Sequence, residues 1–376
     1  MPALAITDTD YVYMARAIQL AKKGKYTTHP NPRVGCVLVK QGEVIGEGYH
    51  QRAGEPHAEI NALRACSEST RGATAYVTLE PCSHTGKTPP CANALIDAGV
   101  SRVVIAMQDP NPQVAGQGIQ RLRDAGIEVE TGILETQSRA LNPGFIKRME
   151  QGLPWVRVKL AMSLDGRTAM ASGESQWITG ADARADVQYW RASADAILTG
   201  IGTVLADDPS LNVRLSAAGL GIQGDVRQPR RVVLDSQLQI PLDAKMFKLD
   251  GETYVCTQSD ADEKVTKALK ALGAHVLSFE PQETGRLPLK QVLQQLAKEE
   301  TNEVHVEAGA TLCGALIQQQ LVDELVLYVA PSLMGSDARG LLNLPGLEQM
   351  QDKINLKVQD IRAVGDDWRI TASLSR

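Results

Sequence analysis

Four residues in the first quarter of the chain have the types and spacing for metal-assisted chemistry. His57 and Glu59 lie in the run HAEINALRAC, and Cys82 and Cys91 bracket the stretch LEPCSHTGKTPPC. One imidazole and two thiolates leave the fourth tetrahedral position of Zn²⁺ open, as in a catalytic site. Zinc held there would lower the pKa of water towards about 7. Glu59 would stand outside the ligand set, take up a proton and deliver it to departing ammonia. This chemistry suits a ring carbon of amidine type that bears an amino group. Plainer readings stand beside it. His-x-Glu is common at solvated helix starts, and two cysteines can be core thiols or a disulfide.

Strands and helices must position these groups. Thr7 and Asp10 form a capping box ahead of YVYMARAIQLAKKG, with Gly24 as a stop signal. RVGCVLVK and EVIGEGYH, joined at Gln41-Gly42, read as a hairpin. HAEINALRAC, CANALIDAG and GQGIQRLRDAG read as helices, and ATAYVTLE, SRVVIAM and IEVETGI as strands. The alternation predicts a three-layer α/β domain. It also puts His57, Cys82 and Cys91 at strand ends or helix starts, edges that converge on one crevice. A helix N-terminus would favour thiolate at Cys91. ETQSRALNPGFIKRMEQGLP reads as helical with a Pro/Gly-marked exit, and a second α/β alternation begins at Trp155. In it WVRVKLAMS, ADAILTG, RRVVLDS, ETYVCTQ, AHVLSFE, NEVHVEAG and DELVLYVAP are strands. ADVQYWRAS, ADEKVTKALKALG, LKQVLQQLAKEE and ATLCGALIQQQ are helices. The expected domains are residues 1–147 and 153–376, joined by a linker at 148–152.

The 376 residues are 43% hydrophobic and 22% charged, ordinary values for a globular protein of two domains. A formal charge of -5 argues against a broad nucleic-acid-binding surface. No apolar run approaches a membrane span. MPALAITDTD has neither a basic n-region nor a long apolar h-region, so no secretory signal is expected. A cytoplasmic location follows, where thiols stay reduced, which weakens the disulfide reading. Cys36, Cys66, Cys256 and Cys313 are expected as free core thiols.

Two glycine motifs compete in the second half. GLGIQG, Gly219 to Gly224, matches G-x-G-x-x-G but lies in a glycine-rich loop and opens no helix, as a dinucleotide fingerprint must. EAGATLCGAL, Glu307 to Leu316, follows the strand NEVHV and opens a helix. Gly309 and Gly314 would let backbone amides approach a phosphate there. Plain helix packing by small residues is the alternative.

TTHPNPRVGCVLV, GEGYHQRAGEPHAEINAL and AYVTLEPCSHTGKTPPC resemble the bifunctional deaminase/reductase of bacterial riboflavin biosynthesis. So do VKLAMSLDGRTAM, SGESQWITG, TVLADDPSLNVR, RVVLDS, VEAGATLCGAL and VAPSLMGSDARG in the second half. Eight residues separate Cys82 and Cys91, where zinc deaminases usually have two, and the family shares this long loop. The resemblance implies a cytidine-deaminase-like first domain and a dihydrofolate-reductase-like second domain. It implies zinc on His57, Cys82 and Cys91, with Glu59 as proton shuttle. The implied substrate is a diaminopyrimidinone bearing a phosphoribosylamino group. Asn31 sits where related deaminases contact the base, and its amide can donate and accept; a turn residue between two prolines is the alternative. His84 and Lys87 could reach the substrate phosphate from the loop.

For the second domain the resemblance implies NADPH. Its contacts would be Ala161, Trp177, Thr203, Asp207 and Ser236, with Gly309, Ala310, Thr311, Leu312, Cys313, Gly314 and Ala315. Substrate contacts would be Ser175, Arg191, Leu211, Arg214 and Glu307. The guanidinium forks of Arg191 and Arg214 suit a sugar phosphate, with surface salt bridges as the alternative. Lys159 and Asp165 lie on the strand and turn that would border the reacting sugar. A homo-oligomer assembled through the reductase domain is also implied. Two rivals remain open. A nucleic-acid deaminase is disfavoured by the acidic charge and 4% aromatic content. A non-catalytic zinc scaffold is disfavoured by Glu59 and the open fourth ligand position.

Overall fold

The computed structural model describes residues 6–83, 90–112, 114–283 and 285–374. Two compact units, Met1–Gly152 and Leu153–Arg376, make up the chain. No helix among the described residues is long and apolar enough to cross a membrane.

The first unit contains α1 (Asp8–Lys22), β1 (Gly35–Lys40), β2 (Glu43–Tyr49), α2 (Ala58–Arg64), β3 (Thr74–Val77) and α3 (Cys91–Asp97). It continues with β4 (Arg102–Ile105), α4 (Gln117–Asp124), β5 (Glu128–Thr131), α5 (Glu135–Arg139) and α6 (Pro143–Gln151). The capping box starts α1: Asp10 accepts from the Thr7 backbone at 2.8 Å and from its hydroxyl at 3.0 Å. The β1–β2 turn has positive φ at Gln41 and Gly42, 53° and 84°, the signature of a two-residue hairpin turn. The sheet order is β2-β1-β3-β4-β5, antiparallel over the first three strands and parallel over the last three.

Alternate strand residues face opposite layers. Cys36, Leu38, Ala75, Val77, Val103 and Ile105 pack with Ala58 and Ala62 of α2, Leu95 of α3 and Leu122 of α4. Val37, Val39, Tyr76 and Val104 pack with Met14, Ala17, Ile18 and Ala21 of α1. Apolar cover on both faces explains why these strands read as continuous apolar runs. The stretch expected as helical from Glu135 forms two helices, because Pro143 supplies a new first turn for α6. Residues 148–151, expected as linker, complete α6, and Gly152 ends it at φ 66°.

The second unit contains β6 (Trp155–Ser163), β7 (Arg167–Ala169), α7 (Ala181–Ser193), β8 (Ala196–Gly200), α8 (Ile201–Asp207), α9 (Ala217–Leu220), β9 (Arg230–Leu234) and β10 (Thr253–Gln258). Then follow α10 (Glu263–Ala271), β11 (His275–Phe279), α11 (Leu289–Lys298), β12 (Glu303–Glu307), α12 (Ala310–Gln318), β13 (Glu324–Ala330), β14 (Arg339–Gly340), β15 (Leu356–Val364) and β16 (Asp367–Leu374). Nine strands form one sheet, β11-β10-β9-β8-β12-β6-β13-β16-β15, parallel as far as β13 and antiparallel beyond. β7 and β14 pair separately. GLGIQG runs through the end of α9, Gly221 stops that helix at φ 66°, and no helix opens after Gly224. The β15–β16 hairpin is absent from the strands expected from sequence. Most of β15 is exposed, so no buried-face alternation marks it.

Two glycines determine where α2 can sit. A Cβ at Gly48 would meet the Ala62 backbone nitrogen and lie 2.8 Å from the Ala58 carbonyl oxygen. A Cβ at Gly46 would lie 2.6 Å from the Ala62 carbonyl oxygen. The helix thus lies directly on the β2 backbone. Gly48→Val should lower stability by about 1–3 kcal/mol through overpacking, seen as a lower urea midpoint at unchanged m-value. An unchanged midpoint would show that α2 can ride outward freely.

Candidate functional sites

His57 is the N-cap residue of α2, and Glu59 lies in its first turn. Cys91 is the first residue of α3, while Cys82 follows the exit of β3. That exit is tightly held. The Glu80 carboxylate accepts from the amides of Asp109 (3.1 Å), Gly116 (3.0 Å), Gly118 (2.8 Å) and Ile119 (3.2 Å). A Cβ at Gly118 would strike the Pro81 carbonyl oxygen. The start of α4 therefore clamps the two residues before Cys82. From the other side, the Ala92 amide donates to the Cys82 carbonyl at 3.2 Å.

His57 Nδ1 lies 3.7 Å from Cys82 Sγ and 3.4 Å from Cys91 Sγ. The three candidate ligand atoms all lie within 4.8 Å of one another. Bonds of about 2.0–2.1 Å to nitrogen and about 2.3 Å to sulfur at tetrahedral angles separate N and S by roughly 3.6 Å. The spacing therefore fits zinc. Both cysteines are free thiols, which removes the disulfide reading. Charge points the same way. A hydrogen bond from the Cys91 thiol pulls Cys82 down to about 4, and Cys82 in turn raises His57. The helix start acts differently from expectation. The Cys91 amide donates to Cys82 Sγ at 3.3 Å, so α3 favours thiolate at Cys82, while the shared proton and burial push Cys91 up.

Glu59 is 3% exposed, and burial raises its carboxyl to about 7. A carboxyl in that range can both accept and release a proton near neutrality. Asn31 joins this centre through His50, a residue not singled out from sequence. The Asn31 amide nitrogen lies 3.1 Å from His50 Nε2, and the His50 ring meets the His57 ring edge-on with centroids 5.3 Å apart. Only its place in GEGYHQRAG, just past β2, marked His50 in the sequence. Burial pushes its pKa below the ordinary value. His84 and Lys87 lie outside the described residues.

In the second unit the expected residues gather at the carboxyl ends of parallel strands, where α/β sheets bind ligands. Thr203 and Asp207 lie on α8 after β8, Ser236 follows β9, and Gly309 follows β12 as the N-cap of α12. Ala161 is on β6. A Cβ at Gly202 or Gly309 would meet nothing within 4 Å, so the first turns of α8 and α12 face open space. The exposed Trp177 ring carries Arg184 at 4.5 Å, and Asp207 accepts from Gln176 at 3.0 Å. Open helix starts after two adjacent strands fit a long phosphorylated cofactor such as NADPH. The expected loop is not uniform, however. Cys313 is fully buried, and a Cβ at Gly314 would strike the Asn343 carbonyl, so Gly314 serves packing. Ala310, Thr311, Leu312 and Ala315 lie on α12 with them.

The substrate candidates form a charged cluster. Arg191 holds Glu307 in a fork, Nε–Oε1 2.6 Å and Nη2–Oε2 2.8 Å, and also donates to the Asn212 carbonyl at 3.0 Å. Lys159 is paired across the sheet with Glu307; burial pushes its pKa down, against the pull of that carboxylate. Arg214 also feels both Glu307 and Arg191. Leu211 is 2% exposed, its side chain in the core, which leaves its backbone to meet a ligand. Ser175 is half-buried in the segment before α7. Asp165 accepts from the Met334 and Gly335 amides and from Ser163, and so latches two loops together.

Burial alone would raise Glu307, but Arg191 more than offsets it and holds the carboxyl well below its usual range. Arg191→Ala should therefore cost about 3–5 kcal/mol in urea unfolding, because an unpaired charge stays buried. With a depressed folded pKa, this stabilisation is fully present above the unfolded value of about 4.3 and is lost as pH falls through the folded one. Equal stability of Arg191→Ala and the parent at pH 7 would contradict the pairing.

The sequence model for the cytidine and deoxycytidylate deaminase zinc-binding region matches residues 7–107, and that for the RibD C-terminal domain matches residues 154–370. The riboflavin biosynthesis protein RibD of Escherichia coli K12 is 54% identical over 363 residues, covering 95% of this chain and 97% of that protein. The Haemophilus influenzae RibD is 50% identical, covering 98% of each. Among solved structures, Acinetobacter baumannii RibD has a TM-score of 0.89 at 48% identity, covering 98% of this chain and 99% of that one. A Thermotoga maritima diaminohydroxyphosphoribosylaminopyrimidine deaminase/5-amino-6-(5-phosphoribosylamino)uracil reductase has a TM-score of 0.83 at 32% identity, covering 97% and 99%. The first unit thus has a cytidine-deaminase-like fold and the second is a RibD reductase domain. A His-Cys-Cys donor set in one unit, a charged cluster at the strand ends of the other and relatives alike over nearly the whole length place this chain in the RibD family of riboflavin biosynthesis proteins.

Proposed function

We propose that the two units act in succession on one phosphorylated pyrimidine. The first hydrolyses the 2-amino group of 2,5-diamino-6-(5-phosphoribosylamino)pyrimidin-4(3H)-one, and the second reduces the ribosyl group of the resulting uracil to ribityl with NADPH. The observation that carries this reading is the buried Glu59 carboxyl beside the His57, Cys82 and Cys91 donor set.

His57, Cys82 and Cys91 would hold the zinc, whose Lewis acidity makes water reactive near neutral pH. Glu59 takes the proton of the attacking water and passes it to the leaving nitrogen. A C–O bond replaces the C–N bond, and ammonia departs. Burial keeps Glu59 near neutrality, so one carboxyl serves in both directions. Asn31 meets the base edge; His84 and Lys87, the candidates for the phosphate, lie outside the described residues.

NADPH bound in the second unit would supply a hydride, and the position that accepts it is C1 of the opened ribose. Ala161, Trp177, Thr203, Asp207 and Ser236 would hold the cofactor together with Gly309, Ala310, Thr311, Leu312 and Ala315, while Cys313 and Gly314 pack the helix. Ser175, Leu211, Arg191, Arg214 and Glu307 hold the substrate, and the two guanidinium groups suit its phosphate. Lys159, its ammonium destabilised by burial, is suited to hold the proton that the reduced sugar requires. Assembly of copies through the second unit is supported by apolar side chains exposed on its last hairpin, Leu356, Val358, Ile361 and Trp368. Six unpaired cysteines favour the reducing cytoplasm.

The test supplies zinc-loaded protein with the diaminopyrimidinone phosphate and follows mass. Amino-to-oxo exchange should occur without nicotinamide, and two hydrogens should be gained only with NADPH. Glu59→Gln should lose about 10²–10⁴-fold in exchange and still reduce the deaminated compound. Undiminished exchange in Glu59→Gln would overturn the role of Glu59.

A further inference from the structure

His50 is 2% exposed and makes two directed contacts. Its Nδ1 lies 3.2 Å from the Pro56 carbonyl oxygen, and its Nε2 lies 3.1 Å from the Asn31 amide nitrogen. A carbonyl can only accept, so the ring proton must sit on Nδ1. In a neutral imidazole Nε2 is then an acceptor. Asn31 must therefore turn its N–H side to His50, because its oxygen would set acceptor against acceptor. The direction of the Asn31 amide, often ambiguous from atom positions alone, is dictated here by the Pro56 carbonyl two bonds' reach away. Among the described residues, Asn31 Oδ1 has no hydrogen-bond partner. Pro56 itself is well anchored: the Asn61 amide donates to its carbonyl at 3.2 Å and to that of Tyr49 at 2.9 Å.

We infer that His50 is a positioning residue that locks the Asn31 amide with its oxygen free to accept from the pyrimidine edge. The inference rests on the deaminase reading above. It names a selectivity. The diaminopyrimidinone carries N3–H beside the carbon that loses its amino group, a donor for Oδ1. A cytosine-type ring, whose unprotonated N3 takes the place of the substrate's N1 in the reacting amidine, would present C5–H there and leave Oδ1 without a donor. Rejection of a ring that leaves a buried polar group unpaired is a stronger filter than shape alone.

The test is a double-mutant cycle on KM for deamination of the diaminopyrimidinone phosphate, with zinc per chain measured on each sample. His50→Leu and Asn31→Ala should each raise KM about tenfold, corresponding to about 1.4 kcal/mol. The double variant should stay near tenfold, because both changes remove one shared interaction. His50→Gln, which retains a donor and an acceptor, should recover to within about threefold of the parent, and zinc should stay at one per chain throughout. A double variant near a hundredfold would mean that His50 acts independently of Asn31 and would overturn the inference. Loss of zinc in the His50 variants would overturn it too, as would a His50→Gln no better than His50→Leu. Should His50→Leu fail to fold, Asn31→Asp replaces it, since that change sets an acceptor against Nε2; a parent-like KM there sinks the inference. A parent protein that never deaminates this compound refutes the deaminase reading itself, a result distinct from these.

Discussion

Two thiols and an imidazole held in contact, partly out of water, make up an electron-rich site, and the first unit is built around that constraint. Hydrogen bonds within the set draw Cys82 down towards thiolate and His57 up. Holding three such groups together against their need for solvation requires a rigid frame. The frame is made of backbone. Glycines in β2 let α2 lie directly on the strand, the Glu80 carboxylate ties the β3 exit to four amides, and the Cys91 amide points at the Cys82 sulfur. Each device places a ligand through an element end, where amide groups have no partner within their helix.

The second unit solves a related problem with the opposite sign. Beside one carboxylate, Glu307, it keeps the buried Arg191 guanidinium and the half-buried Lys159. Arg191 and Glu307 satisfy each other in the protein alone. A ligand that used Arg191 would have to share it with Glu307. Such a fork keeps the site ordered before a ligand arrives, which reduces the ordering cost of binding.

The parts of this arrangement that depend on neighbours in sequence are legible there. The capping box of α1, the Gln41-Gly42 turn and the strand–helix alternation are short-range patterns, and the chain follows them. The metal set is legible only in part. His57, Cys82 and Cys91 could be singled out by type, yet nothing in an eight-residue spacing says that the two sulfurs meet; the resemblance supplied that. Long-range contacts left weaker traces. His50 matters because of Pro56 and Asn31, which only folding brings to its two nitrogens. Gly314 looked like a phosphate glycine but is small because Asn343 lies against it. The β15–β16 hairpin escaped notice in part because β15 is mostly exposed and carries no buried-face pattern.

The central claim is that His57, Cys82 and Cys91 together hold one zinc ion. X-ray absorption at the zinc edge of the purified protein tests it most directly, compared with Cys91→Ala. The account predicts one zinc per chain with two sulfur neighbours and the remainder light atoms, at least one with the outer-shell scattering of imidazole. It predicts that one sulfur neighbour disappears in Cys91→Ala. A first shell with four sulfurs or none, or a shell unchanged by Cys91→Ala, would contradict it.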